Sequence, residues 1–354
     1  MTTNNVNEDE TIEAESEPPG HLKIGITFNL KKNLDSELPD NEAEFDDMET
    51  IRAIQSALET SGSCVELYEA TEDLPVRLTS KRPDIVFNIA EGIRGRGREA
   101  QVPAMLNFLG IPFTGSDETT LCIAMDKALT KRIVSSYGIS TPDYRLVKNG
   151  APFPDTALSY PIIIKPNNEG SSKGISNLSI VHDEASLRSI LNEKTNAYKT
   201  DMLLEEYISG REFTVGILGN RDEIRVFPPM EIIFNNTSQG IYSYEVKRNF
   251  MQFVRYECPP LIDAGLRKKI EQTAETIYRA LSCRDMARMD FRLSPAGELH
   301  FIEINPLPGL APGYSDFPMI ASFSGMDHRV LVLKILDLAL TRYGLRQRGG
   351  KSGE

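Results

Sequence analysis

The sequence predicts an α/β protein, with a parallel-sheet domain at its N-terminal end and an α+β arrangement in its C-terminal half. Two patterns carry this. From Leu22 to about residue 115, apolar runs of strand length alternate with stretches of helical period, as parallel βαβ units require. Further on, ARMDFRL (Ala287–Leu293) and FIEIN (Phe301–Asn305) flank a short Pro/Gly turn, as an antiparallel hairpin requires. A length of 354 residues suits two or three domains with ordinary cores.

Taken in order, residues 1–20 hold six acids and no Lys or Arg and end in Pro18-Pro19-Gly20, which predicts a disordered acidic tail. LKIGITFNL from Leu22 is the first strand. Thr50 to Gly62 reads as a helix, with Ile51, Ile54 and Leu58 on one face. Asp46 with Glu49 resembles its capping box, and Gly62 suits its stop. VELYEA (Val65–Ala70) and DIVFNIA (Asp84–Ala90) are further strands, and Glu99 to Leu109 is a helix ended by Gly110. A second region follows: a helix over Asp126–Tyr137, a buried strand over Pro161–Pro166, a Gly/Ser loop over Asn167–Gly174, and a strand over Met202–Ile208. The expected division is a tail over 1–20, an N-terminal domain over 21–115, a central region over 116–210, a C-terminal region over 211–345 and a frayed end over 346–354.

Composition narrows the chemistry. A net charge of −12 argues against a polyanionic nucleic acid as partner but leaves room for a small anion held by local cations. No apolar run approaches the roughly 20 residues of a membrane span, and the acidic N-terminus is unlike a signal peptide, so a cytoplasmic protein without a membrane partner is expected. Cys64, Cys122, Cys258 and Cys283 form no CxxC pair, and His21, His182, His300 and His328 show no zinc-ligand spacing. Any catalysis is therefore expected to rest on Lys, Arg, Asp, Glu and Asn.

The strongest constellation lies in the C-terminal hairpin. Side chains alternate along a strand, so Arg288 and Asp290 share one face, as do Glu303 and Asn305. A four-residue loop, Pro295 to Glu298, sets Asp290 opposite Glu303 and Arg288 opposite Asn305. Two carboxylates and an amide oxygen then converge beside a cation, a donor set that suits Mg²⁺, with Mn²⁺ as a substitute. The competing reading is a solvated hairpin face with cross-strand charge pairs; the apolar flank of Phe301, Ile302 and Ile304 speaks against it. Lys165, at the end of an apolar strand and just before Glu169-Gly170-Ser171-Ser172-Lys173-Gly174, suits phosphate binding, although a surface turn has the same composition. Two other motifs mislead. Gly349-Gly350-Lys351-Ser352 lacks the first glycine of a phosphate loop, because Leu345 stands there. Gly95-x-Gly97-x-x-Ala100 has dinucleotide-like spacing but follows a late strand and is interleaved with Arg94, Arg96 and Arg98, which suit a carboxylate equally well.

Together these segments resemble the ATP-grasp superfamily and, within it, the D-alanine–D-alanine ligases. The resemblance runs collinearly from about residue 84 to 335, through GIPFTGS (Gly110–Ser116), MDKALTK (Met125–Lys131), PIIIKPNNEGSSKG (Pro161–Gly174), LLEEYISGREFTVGILG (Leu203–Gly219), YSYEVK (Tyr242–Lys247), ARMDFRL and FIEINPLPGL (Phe301–Leu310). It implies a Rossmann-like N-terminal domain followed by a two-lobed ATP-grasp. It also implies an ATP-dependent ligase that joins two amino acids through an acyl phosphate, with small-molecule partners and, by analogy, a homodimer.

Residue by residue, the resemblance gives Lys127 and Lys165 to the ATP phosphates and Lys247 to the γ-phosphate. Glu205, Glu206, Tyr207 and Ile208 become the adenine hinge, with Glu212 on the ribose. Ser171 falls in the lid over the phosphates, and Asp290, Glu303 and Asn305 hold Mg²⁺. Arg288 and the Gly309 backbone form the oxyanion site, and Ser315 holds the second amino acid's carboxylate. Three departures bear on selectivity. Arg248 replaces the usual aromatic residue after Lys247. IAEGIRGRGRE (Ile89–Glu99) stands where the family has a first-subsite histidine. The Gly-rich first loop is missing, so Glu42 or Glu44 takes the place of the glutamate that holds the first amino group. The alternatives are a ligase for amino acids other than D-alanine, an ATP-binding regulatory protein that has lost catalysis, and a dinucleotide-dependent oxidoreductase.

Overall fold

A computed structural model describes residues 22–32, 42–154, 157–170, 179–221, 223–234 and 254–345. The first sheet is parallel, in the order β2-β1-β3, from β1 (Lys23–Phe28), β2 (Cys64–Glu69) and β3 (Ile85–Asn88). All of β3 and all of β1 but its first residue are buried, as in a parallel sheet covered on both faces, and the buried Thr27 hydroxyl donates to Asn88 Oδ1 at 2.8 Å. Helices α1 (Met48–Glu59), α2 (Leu74–Ser80) and α3 (Gln101–Leu109) accompany this sheet. The α1 cap is Asp47, whose carboxylate accepts a hydrogen bond from the Thr50 amide at 2.8 Å, and not the expected Asp46–Glu49 box. Asp46 is held instead in a bridge to Leu30, and its amide donates to the Asn29 carbonyl.

The second sheet is antiparallel, in the order β4-β7-β5-β6, from β4 (Tyr144–Val147), β5 (Ile162–Pro166), β6 (Ile180–Val181) and β7 (Met202–Glu206). Helix α6 (Glu184–Tyr198) packs Leu187 and Leu191 on it. Two short helices, α4 (Glu118–Met125) and α5 (Lys127–Ser136), precede this sheet. The third sheet runs β11-β10-β8-β12-β13, with β9 also paired to β8; its strands are β8 (Arg211–Asn220), β9 (Glu223–Val226), β10 (Met230–Phe234), β11 (Val254–Glu257), β12 (Asp285–Leu293) and β13 (Leu299–Asn305). One face of this sheet, with Val215, Met289, Phe291 and Ile304, packs on Ile270, Ala274 and Ile277 of α7 (Ala264–Ala280). The last helices, α8 (Asp316–Phe323) and α9 (His328–Arg342), share a core with β1 and α1, in which Ile26 and Ile54 meet Phe317 and Ile335. Among the described residues no helix is long and apolar enough to cross a membrane.

One buried carboxylate stitches these parts. Asp285, fully buried at the start of β12, accepts from the Gly115 amide at 2.8 Å, from Asn220 Nδ2 at 2.8 Å and from Arg342 Nη2 at 2.7 Å. Arg342 also donates to the Phe113 carbonyl at 2.8 Å, so the link after α3, the end of β8, the start of β12 and the end of α9 meet at one point. Removing one partner of a buried, hydrogen-bonded charge pair costs about 3–5 kcal/mol. Asp285→Ala should therefore lower the thermal unfolding midpoint by several degrees, and Asp285→Asn, which keeps part of the hydrogen bonding, by less. Equal midpoints for the wild type and the alanine variant would remove this role.

Candidate functional site

The hairpin forms with the expected pairing by a route the sequence did not show. The connecting loop is five residues, 294–298, because Leu293 pairs with Leu299; Phe291 then pairs with Phe301, one step out of the expected register. A bulge that leaves Ile302 unpaired restores it, and Asp290 faces Glu303 while Arg288 faces Asn305. The bulge also lets Phe301 and Ile304, three residues apart, both enter the core, while Glu303 and Asn305 fall beside Asp290.

Arg288 organises this face. Its Nε and Nη2 donate to the two Asp290 oxygens at 3.2 and 2.9 Å, and its Nη1 donates to Asp316 Oδ2 at 3.3 Å. Asp316 reaches it because α8 lies very close to β8: a Cβ on Gly216, the residue paired with Arg288, would sit 2.9 Å from the Phe317 ring. Burial alone would lower the Arg288 pKa, but Asp290 and Asp316 outweigh it and hold the guanidinium charged. Burial, opposed by Arg288 and reinforced by the Glu303 charge, raises the Asp290 carboxyl above its ordinary range. Across the site Lys127, the first residue of α5, places its Nζ 3.7 Å from Glu303 and also donates to the Glu169 carbonyl. Asp290, Glu303, Asn305, Arg288 and Lys127 thus come together.

A second group surrounds Glu205. Lys165 Nζ lies 3.1 Å from one carboxylate oxygen and Lys131 Nζ 2.8 Å from the other, with all three side chains buried. Burial pushes Glu205 up, but the two lysines prevail and hold it below its usual value. Lys131 is driven down to about 8 by burial, against the pull of Glu205. With its carboxylate engaged in this way, Glu205 can offer a nucleotide only its backbone. Lys131 went unnoticed in the sequence, although it lies four residues after Lys127 on the same helical face.

The other residues expected to form the hinge are tied to the hairpin by Arg292, also unnoticed, although it continues the alternation of Arg288 and Asp290. It donates to the Ile208 carbonyl at 2.7 Å, to Glu212 Oε2 at 3.2 and 2.6 Å, and lies 4.7 Å over the Tyr207 ring. Burial, partly offset by Arg292, raises the Glu212 carboxyl. Glu206 accepts from the Ser159 amide at 2.6 Å. Gly309 and Ser315 are adjacent: a Cβ on Gly309 would lie 2.8 Å from Ser315 Oγ, which accepts from the Ala311 amide at 3.2 Å. Ser315 is also the N-cap residue of α8, directly before Asp316. Ser171, Lys247 and Arg248 lie outside the described residues.

A cleft of about 970 Å³ opens beyond the carboxyl ends of β1 and β2, where open α/β sheets bind ligands. Glu42 lines it and accepts from the Lys32 amide at 3.1 Å. Glu44 sits deeper, paired with the buried Arg98 and accepting from the Gly170 amide at 2.5 Å. Arg98 also reaches Glu169 at 3.2 Å and the Asn168 carbonyl at 2.9 Å, so it joins the first sheet's loops to the loop after β5. Glu91 and Glu99 crowd Glu44, with carboxylate oxygens within 4.8 Å of one another. Burial and then the Glu44 charge push Glu99 up to about 8. The dinucleotide-like glycines lie in this arginine-bearing loop, which leads into a short 3₁₀ turn over Arg98–Ala100.

Comparison with known proteins follows the same lines. The family model described as D-ala D-ala ligase C-terminus matches residues 133–337. The D-alanine–D-alanine ligase of Aquifex aeolicus is 34% identical over 291 residues, covering 82% of this chain and 94% of that protein. The uncharacterized protein y4sG of Sinorhizobium fredii is 34% identical over 270 residues, covering 76% of this chain and 79% of that protein. The crystal structure of Bacillus anthracis D-alanine–D-alanine ligase complexed with ATP superposes with a TM-score of 0.73 at 23% identity, covering 91% of this chain and 99% of that one. At that identity the likeness shows the fold alone, an ATP-grasp fold.

The Glu99 environment has a consequence for stability. Between its ordinary value of 4.5 and about 8, the folded protein keeps a proton that the unfolded chain releases. Stability on this account falls as pH rises through that window. Glu99→Gln removes the dependence, so its unfolding midpoint should gain on the wild type between pH 5 and pH 8. A constant difference between the two proteins across that range would refute the assignment.

Proposed function

The chain belongs to the D-alanine–D-alanine ligase family, and from that premise we propose that its described residues carry out an ATP-dependent joining of a carboxylate to an amine. The observation that carries this reading is the gathering of Asp290, Glu303 and Asn305 on one sheet face beside Arg288, with Lys127 3.7 Å from Glu303. We read residues 21–115 as the unit that receives the first substrate, 116–210 as the central ATP-grasp lobe and 211–345 as the lobe bearing the metal and catalytic residues.

In the first step a carboxylate oxygen of one amino acid attacks the γ-phosphorus of ATP. The bond from that phosphorus to the bridging oxygen breaks, ADP leaves and an acyl phosphate remains. In the second step the amine of the other amino acid attacks the acyl carbon, loses a proton and expels phosphate, leaving an amide. Phosphoryl transfer asks the protein for positioning and charge neutralisation rather than a covalent nucleophile. Lys127 and Lys165 serve the phosphates, and the hinge from Glu205 to Ile208 serves the base, with Glu212 at the ribose. Arg288, charged and clamped by Asp290 and Asp316, faces the oxyanion together with the Gly309 backbone. Ser315, at the N-terminus of α8, suits the carboxylate of the second amino acid. Ser171 and Lys247 retain the roles that the resemblance gives them, and Arg248, where the family has an aromatic residue near the second substrate, is read as bearing on selectivity.

Asp290, Glu303 and Asn305 fit a Mg²⁺ ion, or Mn²⁺ in its place. They are hard oxygen donors on one face, two carboxylates and an amide oxygen brought together by the strand pairing. When bound, the ion supplies neutralisation of the phosphate oxygens.

A specific observation favours amino acids other than D-alanine in the first position. The cleft is built around Arg98 and Glu44, with Glu91 and Glu99 close by, where the family has a histidine. Glu44 is the better-placed residue for the first ammonium group, since Glu42 sits at the cleft wall on the Lys32 amide.

A screen of amino-acid pairs for ADP release tests this reading. Turnover should appear with at least one pair, and turnover with D-alanine alone would remove the altered specificity. ATP–Mg²⁺ binding without turnover on any pair would favour a regulatory protein. Glu303→Gln should lower turnover about 100-fold or more by weakening the metal site; unchanged activity would remove the metal assignment.

A further inference from the structure

Glu205 and the two buried lysines beside it pose a charge problem that any phosphate-binding role must solve. Lys165 can present a cation to a phosphate only if its charge is not already cancelled. Among the described residues its ion-pair partner is Glu205, at 3.1 Å. A carboxylate and one ammonium, both buried, make a neutral pair, and a neutral pair attracts a phosphate weakly. Lys131 changes that balance. Its Nζ lies 2.8 Å from the other Glu205 oxygen, donates to Thr141 Oγ1 at 2.9 Å and sits 5.9 Å over the Phe301 ring. The group of two lysines and one carboxylate keeps a net positive charge, in surroundings where charges are poorly screened.

Lys131 itself is fully buried and cannot touch a ligand. Helical spacing explains its placement. Lys127 and Lys131 are four residues apart on one face of α5, and both point toward β13, one at Glu303 and the other at Phe301. The same helix thus supplies one cation at the edge of the site and one behind it.

We propose that Lys131 is a positioning residue for nucleotide binding: it neutralises Glu205 and so leaves the charge of Lys165 available to the phosphates. The proposal rests on the assignment of Lys165 to the ATP phosphates. When Lys165 turns toward a phosphate, Lys131 remains on Glu205, and no bare buried carboxylate is left beside the nucleotide.

The test is a charge ladder, read by calorimetric titration of the full-length protein with ATP–Mg²⁺ and by steady-state kinetics. Lys131→Met leaves the group neutral and should weaken ATP binding about 10-fold or more, raising KM for ATP more than it lowers kcat. The double variant Lys131→Met/Glu205→Gln restores the net positive charge with near-isosteric side chains and should recover most of the loss. Glu205→Gln alone should bind ATP more tightly than Lys131→Met. A purely structural role for Lys131 would not follow this order. Wild-type affinity in Lys131→Met, or a double variant as weak as Lys131→Met, would overturn the proposal. If Lys131→Met does not fold, the double variant decides, by comparison with the wild type and Glu205→Gln. Lys165→Met separates the two layers. Wild-type ATP affinity in that variant removes the phosphate assignment and the proposal with it; loss there without loss in Lys131→Met removes only the role of Lys131.

Discussion

The single unpaired residue in the last hairpin, Ile302, sets the geometry on which the rest of the site depends. Without that bulge the five-residue loop would hold β13 one step out of register, and a one-residue slip turns every side chain to the other face. Glu303 and Asn305 would then point at α7, and polar atoms would enter a core that now holds Phe301 and Ile304. With the bulge the same strand satisfies both demands: apolar residues against α7, donors beside Asp290. The hydrophobic effect on one face and the acidic pair on the other are served by one irregularity.

Around this face several buried charges are shared between elements. Arg288 is shared by Asp290 and Asp316, Arg292 joins Glu212 to the Ile208 carbonyl, and Asp285 gathers Arg342, Asn220 and Gly115. Buried ion pairs add little net stability compared with apolar packing, but breaking one is costly. Their value here is positional, because each carries a contact from one sheet or helix to another. Arg292 is the clearest case: it lies on the strand of Arg288 and Asp290 and grips the segment from Tyr207 to Glu212.

Much of this was legible in the sequence. The parallel sheet followed from the alternation of strand-length apolar runs with helical stretches up to about residue 115, and the sharing of a face by Arg288 and Asp290 from strand alternation alone. Lys127 was singled out only through the family resemblance, since a lone lysine on a helix carries little information, whereas Lys165 had a local signal in the Gly/Ser loop that follows its strand. Lys131 and Arg292 were accessible to periodicity, at four residues and two residues from known members, but nothing local says that such positions are buried. Asp316 had no local signal, and Arg98 had only its place among the arginines of the Gly95 loop, with nothing to say which carboxylate it meets. Each matters because a residue tens of positions away, Arg288 or Glu44, comes to meet it.

The amino-acid sequence by itself determined the strand–helix alternation of the N-terminal part, the sharing of a strand face by Arg288 and Asp290, and the ligase family to which the chain belongs. These follow from short-range periodicity and from residue chemistry, both of which are local. Only the tertiary structure decided the register by which Asp290 meets Glu303, the sharing of Glu205 between two lysines, and the choice of Glu44 over Glu42 beside Arg98. Those outcomes depend on loop length, on a bulge and on contacts between distant segments, where burial and the need to pair every buried charge select one arrangement among several that the local pattern allows.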